Sequence, residues 1–401
     1  MNATETPQEL TRRALLGRSL ALGCSAAASP FITPVTLAST PGDTRLVVIV
    51  LRGAMDGLDV VQPIGDKNLA RHRQTLSKGL DGGAHVLNDF YALHPALADL
   101  MPLWSAGELS FAHAVSTPYR DKRSHFDGQD LLENGGSSPD GGMTPGRDGW
   151  LNRMLSLLPN TTVDTAYAVG RGELLLMRGN VPISSWSPET DMDLSPQAQL
   201  LLGKVWAQDP LFAAAGQTAM TISAAREVPK GMNPRVSQRA EALAQFAAEQ
   251  LRGASRVAAF SLNGWDTHRT QNNGLPRALG ELQTAILTLK AGLGPAWQKT
   301  AVLCLTEFGR TVRENGVKGT DHGTGGAAIF AGGALKGQAV HGKWPGLASA
   351  DLYRDRDLMP TADVRSYAAW AMRDLFSLGR AEVEQVVFPG VDMGTDPRLI
   401  A

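Results

Sequence analysis

The chain of 401 residues has almost no excess charge, only two cysteines and no long apolar run outside its N-terminus. Its formal net charge of -1 excludes the broad basic surface with which proteins bind nucleic acid or an anionic membrane. A membrane-spanning helix needs about 18 apolar residues, and no such stretch follows the N-terminal segment. With 43% hydrophobic residues the chain can bury a core, so we expect a globular protein without an integral membrane span.

Redox motifs and disulfide pairs are also lacking. No G-x-G-x-x-G follows a strand pattern, and no haem or iron–sulfur motif occurs, which argues against an oxidoreductase. Of the two cysteines, Cys24 lies in the leader described below and Cys304 in an apolar strand pattern. Once the leader is removed no intramolecular disulfide is possible, so stability must come from packing. A lipid anchor at Cys24 stays open.

The N-terminal segment has the layout of a twin-arginine export signal. Arg12 and Arg13 precede a short run rich in Ala, Leu and Ser that reaches about Ala28. The run is followed by prolines instead of a segment able to pack: Pro30, Pro34 and Pro41. We therefore expect residues 1–40 to be signal and linker, and the protein to reach the periplasm or the medium through the twin-arginine machinery. The alternative is an ordinary helix start capped by Thr11.

Short apolar runs alternate with helical patterns along the rest of the chain. The run at residues 46–51 is apolar on both faces, as in a parallel strand buried between helices. Further strand patterns occupy residues 109–115, 166–169, 256–262, 301–305 and 327–330. Helical patterns occupy residues 95–104, 125–133, 150–158, 197–206, 236–251 and 275–293. This order predicts an α/β fold with a mostly parallel central sheet and helices on both faces. We expect one domain, residues 41–401, with insertions near 135–149 and 177–195.

Three of the predicted strands are followed by an acidic side chain, namely Asp56, Asp266 and Glu307. Because the carboxyl ends of parallel strands meet at one edge of a sheet, these carboxylates should converge there. Crowded carboxylates repel one another unless a cation lies between them. With imidazoles from His268 and His322 nearby, the pattern predicts a divalent metal site.

Each of these residues also has a purely structural explanation. Asp56-Gly57 is a common turn pair, and Glu307 could pair with Arg310. Asp266 could stabilise its own turn, with His268 simply exposed.

Ser124 is a candidate for both a helix cap and a nucleophile. It precedes Asp127 by three residues, a spacing typical of a capping box at the start of a helix. The neighbouring Arg120, Lys122 and Arg123 suit an anionic ester, and a metal could activate the serine hydroxyl. Charge on the transferred group could be neutralised by one of three arginines: Arg52, Arg123 or Arg310.

Several motifs together resemble the DUF1501 family of exported bacterial proteins. They are the leader and the stretches VVIVLRGAMDGLDVVQP, RSHFDGQDLLENG, GWDTH and TEFGRT…GTDHG. That family looks related to the alkaline phosphatase superfamily, and the resemblance implies an α/β core with two metal sites and a nucleophile at a helix start. It places Ser124 as the nucleophile, Asp56 in one metal site, Glu307 at a strand-end acid position, and the second site at Asp266, His268 and His322.

Phe308 stands where alkaline phosphatases often have a histidine, which leaves the first site with oxygen ligands that suit Mg²⁺ or Ca²⁺. Zn²⁺ or Mn²⁺ are the other candidates. The resemblance thus implies an exported metal-dependent hydrolase of small or polymer-borne phosphate or sulfate esters. The alternative is a periplasmic binding or assembly protein that retains the fold without turnover.

Overall fold

The computed structural model describes residues 35–39, 42–138, 148–159, 161, 166–169, 174–186 and 236–401. The expected export signal and the helix predicted at 197–206 lie outside these residues. So do the central part of the first predicted insertion and the end of the second. Within the described part of the chain, no helix is both long and apolar enough to cross a bilayer.

The described strands form a ten-stranded sheet and a separate three-stranded sheet. In chain order they are β1 (Val35–Ser39), β2 (Arg45–Leu51), β3 (Val61–Gln62), β4 (His85–Val86), β5 (Ala92–Leu93), β6 (Leu109–Ser116), β7 (Ala166–Val169), β8 (Ser184–Trp186), β9 (Ser255–Leu262), β10 (Thr300–Thr306), β11 (Gly326–Ala331), β12 (Val340–His341) and β13 (Ala362–Asp363).

The centre of the large sheet is parallel. Strand β2 lies between β10 and β9 and runs parallel to both, with Ile49 paired to Cys304 on one side and to Phe260 on the other. Strand β11 runs antiparallel between β10 and β6, which makes the sheet mixed. The six strands predicted from the sequence are confirmed to within one or two residues at each end.

The described α-helices are α1 (Gly57–Val60), α2 (Leu69–His72), α3 (Met101–Ser105), α4 (His125–Asn134), α5 (Trp150–Ser156), α6 (Val236–Arg252), α7 (Gln271–Leu293), α8 (Val364–Phe376) and α9 (Arg380–Glu382). Shorter 3-10 segments occupy Gly79–Gly82, Pro95–Leu100, Leu175–Met177, Gly294–Lys299 and Ser349–Asp351, and a π-helical turn follows at Val383–Val387.

The core lies on both faces of the sheet, because β2 is buried on both sides. Val47, Ile49 and Leu51 pack toward α6 and α7, and alternate residues pack toward α5 and α8. All seven residues of β2 are buried, as the unbroken apolar run predicts. The prediction of an α/β protein with a mostly parallel central sheet is therefore confirmed at this level.

Among the described elements that differ from the sequence prediction, three belong to the large sheet or to the helices that cover it. Helix α7 begins at Gln271, four residues early, and contains Pro276. Helix α8 was not predicted, although its buried residues recur at helical spacing. Strand β1 lies in the segment expected to be linker, and it pairs antiparallel with β9.

The chain between β10 and β11 doubles back close to the end of β10. Arg310 and His322 form an antiparallel bridge, Gly309 N donates to Thr324 O (3.0 Å), and Gly323 N donates to Gly309 O (2.8 Å). The two segments are so close that a β-carbon on Gly309 would lie 1.9 Å from Gly325 O. This close approach brings His322 back to the carboxyl end of the strand that carries Glu307.

Substitution Gly309→Ala should therefore lower the free energy of unfolding by about 1–3 kcal/mol, as forced overpacking does. Gly316→Ala, in the same connection, is the matched control, because a β-carbon added at Gly316 would have nothing within 4 Å. Urea unfolding of the two variants measures the difference. Equal stabilities would contradict the close pairing of the two segments.

Candidate metal centre

Three imidazoles and one carboxylate converge at the carboxyl ends of β9 and β10. Asp266 Oδ1 lies 3.1 Å from His268 Nε2 and 3.2 Å from His322 Nε2. His268 Nε2 and His322 Nε2 are 2.8 Å apart. His125, the first residue of α4, places its Nε2 3.4 Å from Asp266 Oδ2. We call these four residues the His/Asp cluster.

In each ring of the cluster, the other nitrogen, Nδ1, contacts an acceptor. The pairs are His125 with Glu307 Oε1 (2.8 Å), His268 with Asp321 Oδ1 (3.1 Å), and His322 with the carbonyl oxygen of Arg123 (2.9 Å). An acceptor at Nδ1 places the ring proton there, so a neutral ring turns the lone pair of Nε2 into the cluster. Without an ion these Nε2 atoms contact Asp266, and in a neutral ring each could instead act as a metal ligand.

The Nε2 atom of His125 is buried and, among the described residues, has no hydrogen-bond partner of good geometry. A buried polar atom of this kind needs an explanation, and an ion at the cluster provides one. Burial opposes protonation, but hydrogen bonds to Asp266 and Glu307 outweigh it and raise the pKa of His125 to about 9. In the absence of an ion, His125 is therefore protonated at neutral pH.

Glu307 lies behind His125 and orients it. The carboxylate is fully buried, and Oε1 accepts hydrogen bonds from Gly53 N (2.9 Å), Gln129 Nε2 (3.0 Å) and His125 Nδ1. Burial raises the pKa of Glu307, but the hydrogen bonds from His125 and Gln129 lower it overall. The structure thus places this predicted metal ligand one layer outside the cluster, where it holds a ligand in position.

Asp266 is held by a buried arginine. Arg310, which is 1% exposed, donates to Asp266 Oδ1 (2.7 Å), and its remaining nitrogens are engaged by Thr320. Burial raises the pKa of Asp266, but bonds from His125, His322 and Arg310 lower it far below the ordinary value. Asp266 is therefore an anion in the folded protein, and its side chain remains 45% exposed.

Phe308 forms an apolar wall of the cluster. Its ring stacks on that of His125, with centroids 5.2 Å apart and planes 20° apart, and it lies 5.3 Å from His322. Helix α4 can approach because Gly128 has no side chain: a β-carbon there would lie 2.9 Å from the Phe308 ring. Phe308 thus occupies the position where the resemblance predicts a histidine, and its ring packs against a histidine from α4, His125.

Asp56 does not join the cluster. Its carboxylate is fully buried and accepts two bonds from Arg73 (2.6 and 3.0 Å) and one from Gln271 (2.7 Å). Burial raises the pKa of Asp56, but Arg73 and Gln271 lower it overall. The positive charge that the sequence pattern assigned to a metal is here supplied by Arg73, so this carboxylate has no open ligand atom.

The predicted catalytic residues lie beside the cluster in different roles. Ser124 caps α4, where its Oγ accepts from Asp127 N at 3.4 Å, and it immediately precedes His125. Arg52 is bound to Gln129 (2.6 Å) and to the buried Glu133 (2.5 Å). The carbonyl of Arg123 holds His322.

His125 is the one cluster residue that was not predicted from the sequence. Ligands were expected after strands, whereas His125 comes from the first turn of a helix whose cap, Ser124, was recognised. The sequence signal that could have identified His125 is its position. It directly follows the helix cap Ser124, and the first residue of a helix that begins at this edge of the sheet can point into the cluster. Asp321, which precedes His322 in the sequence, contacts Nδ1 of His268 and orients that ring.

Comparison with known proteins identifies the family without assigning an activity. Neither the curated proteins nor the solved structures include a match to this chain. The family model of DUF1501, described as a protein of unknown function, matches residues 43–386. Because that match covers most of the chain, the protein belongs to the DUF1501 family.

Proposed function

We propose that the protein is a metal-dependent hydrolase of phosphate or sulfate esters that binds one divalent metal ion at the His/Asp cluster. The observation that carries the proposal is the convergence of ligand atoms from His125, Asp266 and His322, all within 4.8 Å of one another, with an acceptor at every Nδ1. His268 Nε2 adjoins this group, 2.8 Å from His322 Nε2 and 3.1 Å from Asp266 Oδ1. Imidazole nitrogens with one carboxylate favour Zn²⁺ over Mg²⁺, Ca²⁺ or Mn²⁺, which prefer oxygen ligands.

The exposure of the cluster supports a catalytic site over a structural one. The side chains of Asp266 and His268 are 45% and 40% exposed, while those of His125 and His322 are 24% and 17% exposed. Structural zinc sites are closed, whereas catalytic sites keep a position for water or substrate. One side of the cluster is thus walled by Phe308 and the other reaches solvent, as substrate entry requires.

Residues around the cluster have separate roles in the proposed ester hydrolysis. A bound divalent ion would polarise the ester and lower the pKa of an attacking hydroxyl. Ser124 supplies a hydroxyl next to His125, and the first N–H groups of α4 favour negative charge. Arg310 keeps Asp266 anionic and fixed, and Glu307 and Asp321 fix two of the imidazoles. In this proposal the Ser124 oxygen loses its proton and attacks the phosphorus or sulfur in line, the bond to the ester oxygen breaks, and the alcohol leaves with a proton. Water then cleaves the serine ester, which releases phosphate or sulfate and restores the serine hydroxyl.

The proposed location follows from the leader and not from the fold. We place this chemistry outside the cytoplasm, after export by the twin-arginine machinery, which usually carries proteins already folded. The metal site, whose parts come from separate segments of the chain, would then form before export.

Purified wild-type protein should bind about one Zn²⁺ per chain, and His322→Ala or Asp266→Asn should reduce this to below about a tenth. His85→Ala on β4 is the matched control, because His85 lies outside the cluster. Elemental analysis after dialysis against zinc measures the content. Equal zinc in His322→Ala and in the wild type would show that the ion binds elsewhere.

Zinc affinity should rise with pH up to about 9. Below that pH the metal-free His125 is protonated, so each unit of acidification should weaken binding by about tenfold through this residue. In metal-free protein the raised pKa stabilises the fold below about pH 6.5, and the contribution is lost as the pH rises through about 9. Competition titrations with a chelator measure the slope; an affinity independent of pH would contradict the assignment of His125.

Zinc-loaded wild type should hydrolyse a member of a panel of aryl phosphate monoesters, diesters and aryl sulfates. Ser124→Ala and Ser124→Asn should both lower kcat by about 100-fold or more if the serine is the nucleophile. Asparagine keeps the helix cap, whereas alanine loses about 1 kcal/mol of stability, so the pair separates the two roles. Full activity of Ser124→Asn would remove the covalent mechanism. Bound zinc without turnover of any substrate would support the non-catalytic alternative.

A further inference from the structure

Two arginines contact the backbone or ring of His322, and their guanidinium groups approach one buried carboxylate. Arg356 donates through a single nitrogen to the carbonyl oxygen of His322 (2.9 Å) and to Asp357 Oδ1 (2.9 Å). The guanidinium of Arg123 lies 4.0 Å from Asp357 Oδ2, and its backbone carbonyl holds the His322 ring. Asp357 is 1% exposed, whereas the two arginine side chains are 37% and 32% exposed.

Most of the donors on these two arginines remain available. Among the described residues, the Arg123 guanidinium makes no hydrogen bond, and Arg356 leaves Nε and one terminal nitrogen unused. The other arginines of this region differ. Arg310 and Arg73 are buried and fully engaged, and Arg52 is bound to Glu133 and Gln129. The pair Arg123 and Arg356 thus carries donors that the fold does not need.

The loops that carry these arginines are held in unfavourable backbone conformations. Asp121 and Arg123 have φ of +68° and +55°, and Arg354 and Asp355 have φ of +53° and +51°. Non-glycine residues adopt left-handed φ rarely, and such strain concentrates at functional sites. The two loops are joined by an ion pair between Arg354 and Asp121 (2.8 Å). The conformation of Arg123 aims its carbonyl at His322 and so fixes the arginine next to the cluster.

We propose that Arg123 and Arg356 form a binding site for a tetrahedral oxyanion, the phosphoryl or sulfuryl group of the substrate, beside the His/Asp cluster. Planar guanidinium groups match the oxygens of such anions, and both arginines keep donors that no described residue accepts from. The inference rests on the proposed function in placing the anion next to the metal. Arg356 is assigned from the fold alone, since no sequence motif marked it.

The test uses calorimetric titration of the zinc-loaded full chain with inorganic phosphate and, separately, with sulfate. Arg356→Gln and Arg123→Gln should each weaken binding of the preferred anion by about tenfold or more, because each removes a charged donor. Arg123→Gln keeps the backbone carbonyl on His322. Arg380→Gln is the matched control: this arginine is 46% exposed and paired with Glu384, away from both loops, so the change should stay within about twofold.

The outcomes separate this inference from the metal proposal. Unchanged zinc affinity with weakened anion binding in both variants supports the arginine site. Zinc binding with anion affinities equal to those of Arg380→Gln overturns it and leaves the metal proposal standing. If the wild type binds no zinc but its anion affinity still depends on both arginines, the site stands and the metal proposal fails. Absence of phosphate and sulfate binding by the wild type overturns the arginine site.

Discussion

The arrangement of the site depends on the hydrogen bond between Glu307 and Nδ1 of His125. Glu307 is fully buried at the end of β10 and accepts from three donors, Gly53 after β2 and both Gln129 and His125 on α4. A buried carboxylate without such partners would be strongly unfavourable, so the bonds that compensate for its burial also fix the orientation of α4. The result is that His125 Nε2 points toward Asp266 and His322. The same arrangement recurs at Asp321 with His268 and at Arg123 with His322.

Asp56 and Asp266 lie near this edge of the sheet, and their negative charges are balanced by different partners. This difference determines which of the two carboxylates is open to an ion. Asp56 has Arg73 as a bidentate partner, so its charge is balanced within the core. Asp266 also has an arginine, Arg310, but that arginine occupies one oxygen from the buried side and leaves the carboxylate open toward the imidazoles. The cluster is therefore nitrogen-rich and accessible, whereas the region around Asp56 is a structural ion pair. Phe308 makes the closed side of the cluster apolar, and its ring stacks on that of His125.

The main strands and the acidic residues that follow them could be predicted from the sequence. Short unbroken apolar runs that alternate with helical patterns are typical of a buried parallel sheet. Asp266, His268 and His322 were placed together for the same reason, since strand ends of a parallel sheet meet at one edge. Glu307 and Asp56 were expected there as ligands, but pattern alone could not show that His125 and Arg73 would satisfy them first. Those partners come from α4 and from the end of α2, and their contacts depend on packing, including the space that Gly128 leaves for Phe308. Arg356 could not be identified, because its position depends on a strained turn without a sequence motif.

The central claim is that three histidine Nε2 atoms and Asp266 hold one metal ion, and X-ray absorption spectroscopy of the zinc-loaded protein tests it most directly. The account predicts a shell dominated by imidazole nitrogen with zinc–nitrogen distances of about 2.0–2.1 Å. Replacement of His268 by alanine should remove one imidazole from that shell. A shell composed of oxygen atoms, or one that stays the same when His268 is replaced, would contradict the account.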